Sequence, residues 1–115
     1  MPVYNEKAGL DQLFSRMRAL LDVWEPRYKA QFEVILVNDG SRDGSHDVLN
    51  KIHSQDPRFK VLHLSRNFGH QVAISAGMEW ASGQTVTVLD ADLQDPPEVI
   101  EEMLAKWSEG FEVVF

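Results

Sequence analysis

The chain has 115 residues and a formal net charge of −7 at pH 7. This length fits one small domain, close to the lower limit for an enzyme that holds a nucleotide and a second substrate. The acidic balance argues against a nucleic-acid partner, because domains that bind phosphate backbones usually carry a basic patch. The absence of cysteine excludes disulfides and thiolate metal sites. No apolar run reaches the roughly 18 residues needed to cross a bilayer, so we expect a soluble piece, with the cytoplasm as the default compartment.

The first half of the chain predicts two helices and two strands. A one-sided apolar stripe predicts the first helix, which Pro26 helps to end; its members are Leu10, Leu13, Phe14, Met17, Leu20, Leu21 and Trp24. The nearly continuous apolar run over 32–37 predicts a strand buried on both faces, as in parallel sheets. Ser45 is expected to cap a second helix that ends at 56–57, and a second strand follows over 60–64.

The second half continues the alternation. A third helix is predicted over 70–81, with an apolar core-facing side made of Val72, Ala73, Ala76 and Trp80. A third strand is predicted over 85–89. A fourth helix follows, with Asp95 as its N-cap and Glu98 completing a capping box; its apolar residues are Val99, Ile100, Met103, Leu104 and Trp107. Residues 112–115 are predicted to begin a fourth strand.

Alternating helices and strands with short connections predict an open parallel α/β sheet. Ligands bind such sheets outside the carboxyl ends of the strands. Residues 2–6 precede the first helix without room for a full strand, so we expect the chain to lack its first strand and its C-terminal part. A missing first strand would leave an exposed sheet edge that is liable to association.

Asp90 and Asp92 form the most informative candidate site. They follow the predicted strand over 85–89 and are two residues apart, so an extended backbone points both carboxylates to one side. Their repulsion is relieved by a divalent cation, for which hard oxygen ligands favour Mg²⁺ or Mn²⁺. Gln94 could supply a neutral oxygen ligand, whereas Asp95 is better explained as the helix cap. This run therefore predicts a metal-diphosphate site.

Two other strand-to-helix junctions carry candidate residues. Asp39 follows the first predicted strand, and its carboxylate could accept hydrogen bonds from a base N–H or a ribose hydroxyl. Arg66 could contact a phosphate or the acidic pair, although a surface salt bridge explains it equally simply. His70 at a helix start is more typical of a capping or exposed residue than of a catalytic base.

The motifs resemble glycosyltransferase family 2, and more closely its polyprenyl-phosphate branch. They lie at residues 2–6, 38–41, 65–71, 76–78 and 90–98, so the resemblance covers essentially the whole chain. It implies a GT-A, Rossmann-like fold that is truncated at both ends of this chain. It also implies inverting transfer of a hexose from a UDP- or GDP-sugar to a polyprenyl phosphate.

The resemblance also implies roles for individual residues. Pro2, Tyr4 and Glu6 would line the nucleoside pocket, and Asp39 would contact the base. Asp90 would lie near the nucleotide and the metal, and Asp90 and Asp92 are the expected catalytic pair. Asp92, Gln94 and Asp90 would hold Mg²⁺ or Mn²⁺, and Arg66 would contact a phosphate or the acceptor.

The expected partners are a nucleotide-sugar donor and a polyprenyl-phosphate acceptor, at the cytoplasmic face of a membrane. Membrane association would come from parts outside this chain, and the chain alone would be inactive. A noncatalytic nucleotide-binding or Mg²⁺-binding regulatory α/β domain, such as a phosphoacceptor receiver, is a second hypothesis, although the late position of the acidic pair disfavours it. A folded fragment without a function of its own is a third.

Overall fold

The computed structural model describes residues 1–83, 86–89, 91 and 98–108. Seven elements follow one another along these ranges: β1 (Pro2–Val3), α1 (Lys7–Tyr28), β2 (Val34–Asn38), α2 (Ser45–Gln55), β3 (Phe59–His63), α3 (His70–Trp80) and α4 (Val99–Ser108). The predicted strand over 112–115, the cap Asp95 and the acidic pair lie outside the described residues.

The described strands form one parallel sheet in the order β1-β2-β3. In the register, Val3 lies beside Asn38, and Asn38 lies beside His63, so all three strands end at the same level. Helices flank this sheet. The predicted α/β class with an open parallel sheet is therefore confirmed, and the architecture fits the Rossmann-like GT-A fold.

A two-residue strand, β1, precedes α1. Pro2–Val3 pair with β2, and the Asp39 N–H donates to the Val3 carbonyl at 2.8 Å. The sequence pattern missed β1 because two residues are too few to show the alternation or apolar run that marks a strand.

Among the described elements, helix α1 contributes the largest share of the buried core. Six residues of its predicted stripe are buried: Leu10, Leu13, Phe14, Met17, Leu21 and Trp24. Phe14 packs edge to face against Phe59 of β3, with ring centroids 4.9 Å apart. The helix lies against α2 through Leu49 and Ile52, and these side chains join one buried apolar cluster with Leu36. The 3.6-residue period thus located the core face correctly.

Two helix ends differ from the prediction. Pro26 lies inside α1, which continues to Tyr28 and ends at Lys29 in the left-handed conformation. Gly44, not Ser45, occupies the N-cap position of α2, and Ser45 is the first helical residue. The carboxylate of Asp43 performs the capping, because it accepts both the N–H and the hydroxyl of Ser45, at 3.1 and 2.5 Å.

The core-facing side of α3 is narrower than predicted. Ala73 is buried, but Val72 and Trp80 are 47% and 69% exposed, so core packing is wrong for these two side chains. A Cβ on Gly77 would lie 3.2 Å from Val37, so α3 approaches the sheet closely through small residues. Periodicity shows that a helix face is apolar, but it does not show how far the surface opposite extends.

The predicted strand over 85–89 is not formed in the described residues 86–89, which have no strand pairing.

Helix α4 is tied to α1 by polar contacts. Glu98 accepts the Arg16 guanidinium at 2.6 and 3.0 Å, and Glu101 pairs with Arg27 and accepts the Tyr28 hydroxyl at 3.3 Å. None of the helices in the described ranges combines the length and hydropathy needed to span a bilayer.

A cluster of charges fastens α1 to the turn before β3. Arg58 pairs with Asp56, Glu25 and Asp22 at 2.7 to 2.9 Å. The Arg58 hydrogen bond lowers the pKa of the buried Asp56 carboxyl, against the opposing effect of burial. This network is a structural tie between the helical layer and the sheet.

Candidate functional site

Three loops meet at the carboxyl edge of the sheet. They follow β1, β2 and β3, and the common register of these strands brings residues 4–6, 39–44 and 64–69 together. This is the edge at which open parallel sheets bind ligands.

A cavity of about 380 Å³ opens between these loops. It is lined by Pro2, Val3, Tyr4, Glu6, Asp39, Asn67, Gly69, His70 and Ala91. Four predicted nucleotide-binding residues therefore line one cavity, although they come from β1 and from the loops after β1 and β2: Pro2, Tyr4, Glu6 and Asp39. Sequence reasoning gave no cavity role to Asn67, Gly69 and His70, although it had recognised their motif as a strand-to-helix junction.

Asp39 is 4% exposed, and its carboxylate is already engaged. One oxygen accepts the Phe68 N–H at 2.8 Å and the other accepts the Gly69 N–H at 3.1 Å. Each carboxylate oxygen can accept a further bond, so the group can hold the 64–69 loop and still meet a ligand in the cavity. The predicted contact to a base remains a prediction, whereas the anchoring of the loop is an additional role.

Gly40 allows the second and third loops to touch. Its φ is +72°, and an added Cβ would lie 2.4 Å from the backbone carbon of Arg66 and the backbone nitrogen of Asn67. No side chain fits this space, and the positive φ itself favours glycine. Close approach of the two loops therefore depends on the glycine that follows Asp39.

The first and second loops are joined by three hydrogen bonds. The Asn5 N–H donates to the Ser41 hydroxyl at 3.0 Å, and the Arg42 N–H donates to the Asn5 side-chain oxygen at 2.8 Å. The Lys7 N–H donates to Asp43 at 3.1 Å. The hydrogen bond from the Ser45 hydroxyl is the main cause that lowers the pKa of Asp43. These contacts hold the loop that contains Tyr4 and Glu6 against the loop that contains Asp39.

A polar chain that sequence reasoning missed continues behind the loops. The Ser41 N–H donates to the Asn38 side-chain oxygen at 3.0 Å, so the Asn38 amino group faces Nδ1 of His63, 3.1 Å away. His63 Nε2 lies 2.8 Å from the Asn50 oxygen, and the His63 ring stacks on His46 with centroids 3.9 Å apart. Both ring nitrogens are matched when His63 is neutral and protonated on Nε2. Burial, and secondarily His46, lower its pKa.

Arg66 is exposed, and its guanidinium lies over the Phe68 ring at 4.8 Å from the centroid. It does not line the cavity, and its predicted contact with phosphate or acceptor stays a prediction. Arg66 lies in the same loop that Asp39 holds, one residue before Asn67, which lines the cavity.

Asp90, Asp92 and Gln94 lie outside the described residues. Ala91, between the two carboxylates in sequence, is buried and lines the cavity. The described ranges contain no group of three or more histidine, aspartate or glutamate side chains that could hold a metal ion. The donor set predicted from sequence, two carboxylates and an amide oxygen, is chemically suited to Mg²⁺ or Mn²⁺.

A larger open groove of about 1240 Å³ lies elsewhere, between the sheet, α3 and residues 86–88. Of the predicted site residues that the structure describes, Pro2 is the one that lines this groove. Lys60 and Arg58, which also line it, are paired with Glu33 and Glu25 at 2.5 and 2.9 Å. These four charged groups of the groove are therefore engaged with one another.

Comparison with known proteins identifies the family. The profile of glycosyl transferase family 2 matches residues 1–115, the whole chain. The chain belongs to glycosyl transferase family 2. This confirms the resemblance that the strand-end motifs indicated.

Curated relatives agree with this assignment. An uncharacterized glycosyltransferase of Bacillus subtilis (strain 168) is 48% identical over 100% of this chain and 34% of its own length. An undecaprenyl-phosphate 4-deoxy-4-formamido-L-arabinose transferase of Pseudomonas syringae is 42% identical, over 99% of this chain and 33% of its own length. A bactoprenol glucosyl transferase of Shigella phage SfV is 35% identical, over 99% and 36%. These names fit the predicted polyprenyl-phosphate branch, and the chain spans about a third of each relative's length.

Proposed function

We propose that this family 2 domain binds the nucleotide-sugar donor of an enzyme that transfers a hexose to a polyprenyl phosphate with inversion. The observation that carries this proposal is the cavity that Pro2, Tyr4, Glu6 and Asp39 line together. The relatives named for undecaprenyl phosphate and bactoprenol support the choice of acceptor.

The residues around the cavity suit a nucleoside. The pyrrolidine of Pro2 and the ring of Tyr4 offer apolar surface to a base, and the carboxylates of Asp39 and Glu6 can accept hydrogen bonds from ring N–H or ribose hydroxyl groups. A volume of about 380 Å³ is at the lower end for small-ligand sites, which fits a nucleoside better than a complete donor and acceptor.

The proposed reaction is a direct displacement at the anomeric carbon of the sugar. An oxygen of the lipid phosphate attacks that carbon, the bond to the diphosphate breaks, and the nucleoside diphosphate leaves with the bonding electrons. The attacking oxygen is already anionic at neutral pH, so a strong general base is not required. Inversion follows from a single displacement.

Mg²⁺ or Mn²⁺ is the proposed cofactor, with Asp90, Asp92 and Gln94 as the residues that would hold it. When bound, the cation would stabilise negative charge on the diphosphate. The described residues would bind the nucleoside and orient it towards this group. We place the reaction at the cytoplasmic face of a membrane, where the lipid phosphate and a soluble nucleotide sugar can meet.

Calorimetric titration of the full-length protein tests the donor and the metal together. UDP-glucose, GDP-mannose, UDP and GDP would be titrated with and without Mn²⁺. We expect one base to bind at least about tenfold more tightly with Mn²⁺, and Asp92→Ala to abolish that difference. Asp11→Asn, an exposed position on α1, is the matched control for removal of an acidic charge.

The transfer itself is tested with a sugar-labelled donor and undecaprenyl phosphate. A lipid-extractable product of inverted anomeric configuration is the expected result. Absence of binding to every nucleotide would overturn the donor-site proposal, and transfer to water or protein in place of lipid would overturn the acceptor.

A further inference from the structure

Asn5 has an unusual backbone conformation. Its φ is +53°, and among the described residues the other non-glycine position with a positive φ is Lys29. Lys29 is explained by its place at the C-cap of α1, where the left-handed conformation is common. Asn5 lies in the loop before α1. Asparagine tolerates a positive φ better than most residues, and such a conformation persists where the surrounding structure holds it in place.

The surroundings that enforce this conformation belong to the loop after β2. Asn5 uses both its backbone N–H and its side-chain oxygen, donating to the Ser41 hydroxyl at 3.0 Å and accepting from the Arg42 N–H at 2.8 Å. Ser41 is held in turn by Asn38, at the end of β2. Asn5 is therefore held by the loop after β2, which is itself bonded to the last residue of that strand.

The neighbours of Asn5 explain why its position matters. Tyr4 and Glu6, immediately before and after it, both line the cavity, and Asp39 lines the cavity from the clamped loop. Asn5 does not line the cavity itself. Its conformation turns the chain so that two flanking side chains reach one cavity, and its hydrogen bonds set their distance from Asp39.

We propose that Asn5 is a positioning residue for the nucleotide, acting through Tyr4 and Glu6 without contacting the ligand. This inference rests on the proposed function of the cavity. It assigns the clamp between the first two loops a role in affinity, because preorganised walls do not have to be ordered when the ligand binds.

The test compares three substitutions in the full-length protein, titrated with UDP and GDP in the presence of Mn²⁺. Asn5→Ala disfavours the positive φ and loses the side-chain acceptor. We therefore expect about tenfold weaker nucleotide binding, which corresponds to a loss of about 1.4 kcal/mol in binding free energy. Asn5→Gly keeps the φ but loses the acceptor, and should bind several-fold more weakly at an unchanged melting temperature. Asn5→Asp keeps both features and should recover most of the affinity.

Lys29→Gly is the matched control, because it relieves a positive φ of the same size far along α1. It should raise the melting temperature and leave nucleotide affinity unchanged. If Asn5→Gly binds as tightly as the wild type, the side-chain clamp does not position the nucleotide and the inference is wrong. If the wild type binds neither nucleotide, the proposed function fails first, and this inference fails with it.

Discussion

The carboxylate of Asp39 holds the backbone N–H groups of Phe68 and Gly69 at 2.8 and 3.1 Å. A side chain at the end of β2 thus fixes the loop that follows β3 and that leads into α3. Asp39 also lines the cavity. The same residue therefore both forms part of the site and holds the loop after β3 in place.

Replacement of Asp39 by asparagine should loosen this loop. An amide has one oxygen, so it can accept one of the two N–H groups while its own amino group faces the other. We expect a loss of about 1–2 kcal/mol in the free energy of unfolding, the cost of a buried unsatisfied donor. Urea unfolding measures the loss, and hydrogen exchange at Phe68 and Gly69 should become faster.

Asp11→Asn is the control for the change of charge, since Asp11 is exposed on α1. It should leave both measurements unchanged. Unaltered protection of the Phe68 and Gly69 amides in the Asp39 variant would contradict the anchoring role.

A pair of glycine substitutions tests the contact between the second and third loops. Gly40→Ala would place a Cβ 2.4 Å from the backbone of Arg66 and Asn67, at a φ of +72°. We expect it to destabilise the fold by about 2 kcal/mol or more, because backbone atoms cannot give way as a flexible side chain could.

Gly9→Ala is the matched substitution in α1, where an added Cβ meets nothing within 4 Å. Alanine is a better helix former than glycine, so this variant should gain up to about 1 kcal/mol. Thermal and urea unfolding of the two variants should therefore give opposite signs. Equal changes in the free energy of unfolding for the two variants would contradict the close contact between the second and third loops.

The chain of contacts around His63 predicts a pH dependence of stability. Its pKa is lowered in the folded state, by burial and then by His46, so the unfolded chain binds a proton more readily. The contribution of the neutral His63 ring to the free energy of unfolding is fully present above the pKa of histidine in the unfolded chain, about 6.5. It is lost as the pH falls towards the lower pKa of His63 in the folded state. Urea unfolding at about pH 7.5 and 5.5 should show this decrease, and His63→Gln should reduce it.

His46→Gln provides the control. It removes the stacked neighbour whose charge opposes protonation, so the decrease should be smaller than in the wild type but should not vanish. A His63→Gln variant that loses stability with pH as steeply as the wild type would contradict the role of this ring.

Much of the fold could be predicted from the sequence because the relevant signals are local. The stripe from Leu10 to Trp24 repeats with the helical period, and the strand over 34–38 is a short, strongly apolar run. The exposed Trp80 could not be predicted, because its burial depends on what lies opposite α3. Pro26 also did not mark the end of α1, because the helix continues to Tyr28 and ends at Lys29 in the left-handed conformation.

The sequence by itself determined the family, the α/β class and the residues at the strand ends, because these are carried by residue type and spacing. The resemblance placed Pro2, Tyr4, Glu6 and Asp39 at the nucleotide, but only the tertiary structure showed how they come to line one cavity, since segments distant in the chain meet through strand register. The tertiary structure also showed that Asp39 accepts hydrogen bonds from the loop after β3 and that Asn5 is hydrogen-bonded to Ser41 and Arg42. Such hydrogen bonds require donor and acceptor atoms to lie 2.8 to 3.1 Å apart although their residues are 29 to 37 positions apart in the chain, and no local pattern encodes that distance.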